Sequence, residues 1–239
     1  MWDSHRVLNG VASGLYVVAG LLIAYCVVMA IIQLPIFPLR QVEVTGSVSH
    51  VTRDQVQAIV SGQMRGNFFT LDLEATRAAF QKLPWVRQAN VRRQWPDRLD
   101  VDIEEHIALA RWRDSALVKT SGEVFEAASN ETLPVFAAPD GTSVEVAQRY
   151  AAFRQLLAPL ARRPLKVSLS ERRAWELYLD DGYVLELGRE RMEERLQRFV
   201  SAYDRSLARL PFRPYRVDLR YPNGFAVRAA AFAVRPGGA

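Results

Sequence analysis

The chain has 239 residues, 49% hydrophobic and 24% charged, which excludes a disordered or fibrous polypeptide. Lys and Arg outnumber Asp and Glu by 31 to 26, a net charge of +5, but the excess is nearly all arginine set beside acids in helical stretches. No basic block interleaves with aromatics, which argues against nucleic-acid binding, and the one cysteine, Cys26, excludes an internal disulfide.

From Val7 to Leu39, 33 consecutive residues carry no charge. Within them Leu15–Ile32 is apolar apart from one Gly and two Tyr. About 20 such residues cross a ~30 Å hydrocarbon core as a helix. Residues 11–35 therefore read as a membrane anchor behind a short tail, residues 1–10. The tail has one Asp and one Arg in its first six residues, unlike the positive start of a signal peptide. The apolar run also continues past the one cleavage-like site, Val28-Met29-Ala30, so the anchor is expected to stay uncleaved. Bulky Tyr25 before Cys26 argues against lipid attachment, which leaves Cys26 facing lipid or a partner helix. Arg6 and Arg40 flank the two ends, so charge alone gives no orientation.

Pro35 and Pro38 end the anchor helix. Gln41–Val44 alternates and reads as a strand closed by Gly46. Thr52-Arg53-Asp54-Gln55 is a capping box opening a helix with Val56, Ile59 and Val60 on one face. Asp72 caps a second helix, which carries Leu73, Phe80 and Leu83 and stops at Pro84. Val86–Arg93 and Leu99–Glu105 read as strands about a Trp95-Pro96-Asp97 turn, with Leu99, Val101 and Ile103 alternating.

Past Trp112 the elements become short strands: Leu117–Lys119, Val124–Glu126 and Leu133–Phe136. Thr142-Ser143-Val144-Glu145 reads as a second capping box, opening a helix that buries Val146, Tyr150, Phe153 and Leu157. Strands follow at Lys166–Leu169, Trp175–Leu179 and Val184–Leu187, the last two joined by the turn Asp180-Asp181-Gly182. Arg189–Leu210 reads as the longest helix outside the anchor. Its stripe is Met192, Leu196, Phe199, Tyr203, Leu207 and Leu210. Arg216–Leu219 and Phe225–Val227 close the chain as strands around Pro222-Asn223-Gly224, before a flexible tail, residues 231–239.

No catalytic constellation is present. His5, His50 and His106 are scattered, without partners at metal-ligand spacing, so no metal and no cofactor is expected. Glu104-Glu105-His106 sets acids beside a histidine, but neighbours on a strand face opposite ways, so this reads as a surface strand end. The features left suit protein binding: the strand–helix–helix–strand–strand module after the anchor, and the terminal strand, a candidate sheet edge able to accept a strand from another chain.

Several stretches resemble a known family. Phe37-Pro-Leu-Arg-Gln-Val-Glu-Val-Thr-Gly46, Leu83-Pro-Trp-Val86, Arg92-Arg-Gln-Trp-Pro-Asp-Arg-Leu99 and Glu104-Glu-His-Ile-Ala-Leu-Ala-Arg-Trp112 resemble the POTRA domain of the bacterial FtsQ/DivIB cell-division family. Gly122-Glu-Val-Phe125, Leu133-Pro134 and Val217-Asp-Leu-Arg-Tyr221 resemble its second, β-rich domain. The resemblance implies an α+β chain: one transmembrane helix, a POTRA domain at 37–106 and a β domain with a mixed sheet and flanking helices at 107–230. It further implies no enzyme, but a single-pass inner-membrane scaffold at the division septum, with a cytoplasmic tail and periplasmic domains. Its partners would be the FtsB–FtsL complex and, through it, FtsW and FtsI; self-association is left open. The positions matching the family's FtsB contact are Arg172, Arg220, Tyr221, Asn223, Phe225, Ala226 and Val227. The alternative is a POTRA-bearing export or secretion component, which would carry several such modules or a barrel of alternating strands. A reporter that fluoresces only in the cytoplasm, fused after Ala239, should stay dark; a bright fusion reverses the orientation.

Overall fold

A computed structural model describes residues 5–34, 37–64, 66–212 and 214–229. Pro35 and the tail 231–239 lie outside the described residues. The chain divides into two compact units, Met1–Glu105 and His106–Ala239.

The first unit begins with helix α1, His5–Gln33, whose stretch Asn9–Gln33 is long and apolar enough to cross a membrane. Strand β1 (Gln41–Gly46) follows, then helices α2 (Arg53–Gln63) and α3 (Leu73–Gln81), and strands β2 (Val86–Gln94) and β3 (Arg98–Glu105). The capping box forms as read. Thr52 Oγ1 accepts from Gln55 N at 3.3 Å, and Gln55 Oε1 accepts from Thr52 N at 3.0 Å. Asp72 Oδ1 accepts from Glu74 N and Ala75 N, both at 3.0 Å. The sheet order is β1-β3-β2, with β1 parallel and β2 antiparallel to β3. Leu71, Phe80, Val86, Ala89, Leu99, Val101 and Ile103 form the core.

Two acids of β3 are buried. Asp100 is buried and receives Arg92 Nε at 2.8 Å. Glu105 corrects the expectation of a surface strand end. It follows Leu99, Val101 and Ile103 on the core-facing side and is buried. Its Oε1 accepts from the backbone N–H of Ser49, His50 and Val51 at 3.1, 2.9 and 2.9 Å. His50 Nδ1 lies 2.9 Å from Oε2, and its ring stacks on Trp85 at 3.6 Å. His50 is thus paired, where sequence spacing showed no partner. One carboxylate fixes the turn that leads into α2.

The second unit holds nine strands in the order β12-β11-β10-β9-β8-β7-β4-β5-β6. They are β4 (Ala108–Trp112), β5 (Ala116–Lys119), β6 (Val124–Phe125), β7 (Val135–Ala137), β8 (Pro164–Leu169), β9 (Trp175–Leu179), β10 (Val184–Gly188), β11 (Pro214–Asp218) and β12 (Ala226–Ala229). Helix α4 (Ser143–Leu157) joins β7 to β8, and α5 (Met192–Tyr203) leads from β10 towards β11; both strand pairs are parallel. The antiparallel pairs β8–β9 and β9–β10 make all four strands run the same way, and both crossovers step in the same direction along the sheet. Crossovers of one hand that step the same way must lie on one face. Helices α4 and α5 do pack together, with Arg149 Nη1 2.5 Å from Glu193 Oε1. Beneath them lie Trp175, Leu177, Leu185, Leu187 and Val217, all buried.

Four local readings are corrected. Residues Ala108–Trp112, given no element by the sequence pattern, form strand β4. Thr142 makes no side-chain cap; its hydroxyl donates to Pro139 O at 2.6 Å, while Glu145 takes Arg173 Nη2 at 2.5 Å. Helix α5 stops at Tyr203, so α4 is longer, and Leu207 reaches the core from a separate 3-10 turn, Leu207–Arg209. Phe225 precedes β12 instead of starting it.

Burial raises the Glu105 pKa, but the His50 side chain and the three backbone donors outweigh it and hold the carboxyl below its ordinary 4.5. The bound carboxylate therefore stabilises fully above about pH 4.5, and the benefit fades as pH falls through the lowered folded value. Glu105→Gln should cost about 1–3 kcal/mol. Protection of the Ser49, His50 and Val51 amides, measured against their intrinsic exchange rates, should fall in the variant at neutral pH and in the wild type only on acidification.

Candidate interaction edge of the second unit

Alternation along β9, β10 and β11 sends Leu177, Leu185 and Val217 to the helices and sends Glu176, Glu186 and Asp218 to the opposite face. The register sets these acids in one row: Glu176 opposite Glu186, Glu186 beside Asp218, Asp218 opposite Ala226. Like charges on adjacent strands repel. Arginines neutralise them. Arg216 bonds Glu186 and lies 3.5 Å from Glu176. Arg220 holds Asp218 by two bonds, Nε to Oδ1 at 2.8 Å and Nη2 to Oδ2 at 2.6 Å, and lies 3.1 Å from Glu186. The Arg220 hydrogen bond holds the Asp218 carboxyl below its usual range, and Asp218 pushes the Arg220 guanidinium up. Burial and the bond to Glu176 raise the Tyr178 phenol.

The row ends at β12, which pairs only with β11 among the described residues and so forms one edge of the sheet, β6 forming the other. Val227 lies opposite Val217 and packs on the core, while Ala226, opposite Asp218, is exposed. Phe225 is half-buried, 6.4 Å from Phe199 edge to face. Tyr221 is 56% exposed and Asn223 is exposed. Tyr221 to Ala226 line a groove of about 450 Å³. Arg172 is exposed in the β8–β9 turn and forms no ion pair among the described residues. The chain of register pairs from Leu169–Trp175 to Asp218–Ala226 puts it at the same end of the sheet as Arg220. Two to three strand spacings, about 12 Å, separate them.

The fold thus gathers the seven sequence-derived positions at one corner. It also shows supports that sequence reasoning missed. Arg198, on α5, donates to Tyr221 O at 3.1 Å, to Leu219 O at 3.5 Å and to Pro222 O. Gly188 has a φ of +76°, and a Cβ there would stand 2.7 Å from Arg195 Nη1 and 3.1 Å from Arg220 Cγ. Glycine holds that conformation without strain, and a side chain there would have to displace the Arg195 guanidinium. No local pattern marks Arg198, because its acceptors are backbone carbonyls more than twenty residues away. Gly188, just past the strand read at Val184–Leu187, gives no sequence sign of a close approach by two arginines.

Arg198→Ala should free the 219–222 carbonyls and raise hydrogen exchange across residues 219–225 several-fold. The loss of global stability should be about 1–2 kcal/mol. Unchanged exchange there would show that the loop holds without the guanidinium.

Comparison with known proteins follows this architecture. Residues 37–106 match the family model described as POTRA domain, FtsQ-type, and residues 110–220 match Cell division protein FtsQ/DivIB, C-terminal. A cell division protein FtsQ from Nitrosospira multiformis is 48% identical over 233 residues, covering 95% of this chain and 99% of the relative. Those from Burkholderia pseudomallei and Bordetella pertussis are 43% and 36% identical, each over 96% of this chain and over 95% and 93% of their own lengths. With both family models matched in order behind the apolar helix, and with relatives this similar along nearly the full length, the chain belongs to the FtsQ/DivIB family of cell-division proteins.

Proposed function

We propose that the chain is a non-enzymatic, single-pass scaffold of the division machinery. Its tail lies in the cytoplasm and both units in the periplasm of septal inner membrane. The second unit takes a strand from the FtsB–FtsL complex on the outer edge of β12, and through that complex acts on FtsW and FtsI.

The observation that carries this reading is an edge strand with one side unpaired among the described residues, bordered by an exposed tyrosine and an open groove. Edge strands offer alternating N–H and C=O groups to an incoming strand. Four residues, Ala226–Ala229, provide about four such bonds, worth roughly 4 kcal/mol net. A micromolar complex needs about 8 kcal/mol. Side chains must supply the remainder, and Tyr221 is the exposed aromatic in position to do so. Arg172 and Arg228 are exposed cations for acidic groups on the partner strand. Arg220 suits that role less than its sequence position suggested, because Asp218 and Glu186 already engage it.

Titration with the periplasmic FtsB–FtsL segment tests this. Tyr221→Ala should weaken binding by about 1–3 kcal/mol with an unchanged circular dichroism spectrum. Proline placed in turn at Ala226, Val227 and Arg228 should harm binding most where the lost N–H faces outward. Folded variants that all bind like the wild type would move the site off this edge.

A further inference from the structure

The last turn of α1, like any helix end, leaves backbone carbonyls without helical partners. Asn67, itself buried, supplies donors: its Nδ2 lies 2.6 Å from Ile32 O and 3.0 Å from Leu34 O. Its Oδ1 accepts from Phe69 N at 3.0 Å and Thr70 N at 2.9 Å, and Phe68 N donates to Phe37 O at 2.9 Å. The loop around Asn67 is therefore bonded to the end of the anchor helix. Arg93, near the end of β2, holds the same loop, donating to Phe68 O at 2.6 Å, Phe69 O at 3.2 Å and Leu71 O at 2.6 Å. Arg40 N donates to Asp97 O at 2.9 Å, which ties the β2–β3 turn to the start of β1. Gln41 and Gln94 both pair with Arg98. The helix terminus, the loop and the turn share one end of the sheet.

That end carries three exposed aromatics: Trp95 at 80%, Phe69 at 43% and Phe37 at 36%. Phe37 and Phe69 meet edge to face at 5.0 Å. Arg40, Arg92, Arg93 and Arg98 belong to the strand ends and turn at this end of the sheet, where Arg40 lies 3.9 Å from Asp97 and Arg92 Nη2 lies 2.6 Å from Asp100. Exposed aromatics with an arginine excess at the end of a membrane-length helix match the lipid–water interface, where amphipathic rings and cations meet headgroups. Continuity with α1 favours lipid over a protein partner. Phe37 follows Leu34 by three residues, at most about 11 Å of chain. The headgroup layer itself is roughly 5–8 Å deep on each side of the hydrocarbon.

We propose that Phe37, Phe69 and Trp95, with Arg40 and Arg98, seat this end of the first unit in the headgroup layer of an anionic bilayer. Asn67 holds the unit to its anchor in that pose. The inference rests on the first unit alone and stands or falls apart from the strand-addition reading.

The test uses the full chain with Cys26→Ser, reconstituted in phosphatidylethanolamine–phosphatidylglycerol vesicles. A nitroxide is attached at Phe69→Cys, Trp95→Cys or Val48→Cys. Val48 lies past the far end of β1, roughly 20 Å away. The readout is the ratio of collisions with oxygen to collisions with a water-soluble nickel chelate. That ratio should be at least threefold higher at 69 and 95 than at 48. Arg40→Glu with Arg98→Glu should bring the ratio at 95 down towards that at 48. Equal ratios at all three positions, in protein with an unchanged circular dichroism spectrum, overturn the proposal and leave the aromatics to a protein partner.

Discussion

Backbone hydrogen bonding sets the terms for the second unit. Each strand offers polar groups on two sides, and the crossover through α5 lays β11 outside β10, so the chain continues outward. β12 then folds back on β11, and no described strand lies beyond it. The same chirality that stacks α4 and α5 on one face leaves the last strand at the rim. The open edge is thus a consequence of the topology that builds the core. An exposed edge is an aggregation liability unless managed. Here it is four residues long, and one of them, Arg228, is charged.

The face opposite the helices carries the electrostatic side of this arrangement. Three acids in one row on β9, β10 and β11 would repel, and two arginines bridge them. Arg220 turns back over Asp218 and Glu186, and Arg198 reaches from α5 to the carbonyls that follow. The segment between β11 and β12 is therefore held from both faces of the sheet. Under the strand-addition proposal, a loop held in this way would lower the entropy cost of binding.

In the first unit, buried polar groups do the joining. Glu105 occupies a core-facing strand position yet spends its oxygens on three backbone donors and His50. Asn67 satisfies the helix end and its own loop at once. Buried polar groups are tolerated when every partner is present, and they then fix one geometry more firmly than apolar packing can.

The local features were legible in the sequence because they depend on neighbours in the chain. The uncharged run predicted α1, the Thr52 box and Asp72 predicted two helix starts, and alternation in β3 predicted the buried Leu99, Val101 and Ile103. The resemblance carried the family and the seven candidate positions. Tertiary structure decided what depends on distant partners. Thr142 has the pattern of a cap, but a carbonyl three residues back takes its hydroxyl. The apolar stripe of 192–210 is continuous in sequence, yet the helix breaks after Tyr203 and a separate turn brings Leu207 to the core. Glu105 looks exposed until the 49–51 turn, some fifty residues away, is folded against it. Arg220 looks free for a partner until β10 sets Glu186 beside it. Sequence periodicity records which side of an element is apolar; which element meets that side, and which charges meet across strands, is fixed only when the sheet is assembled.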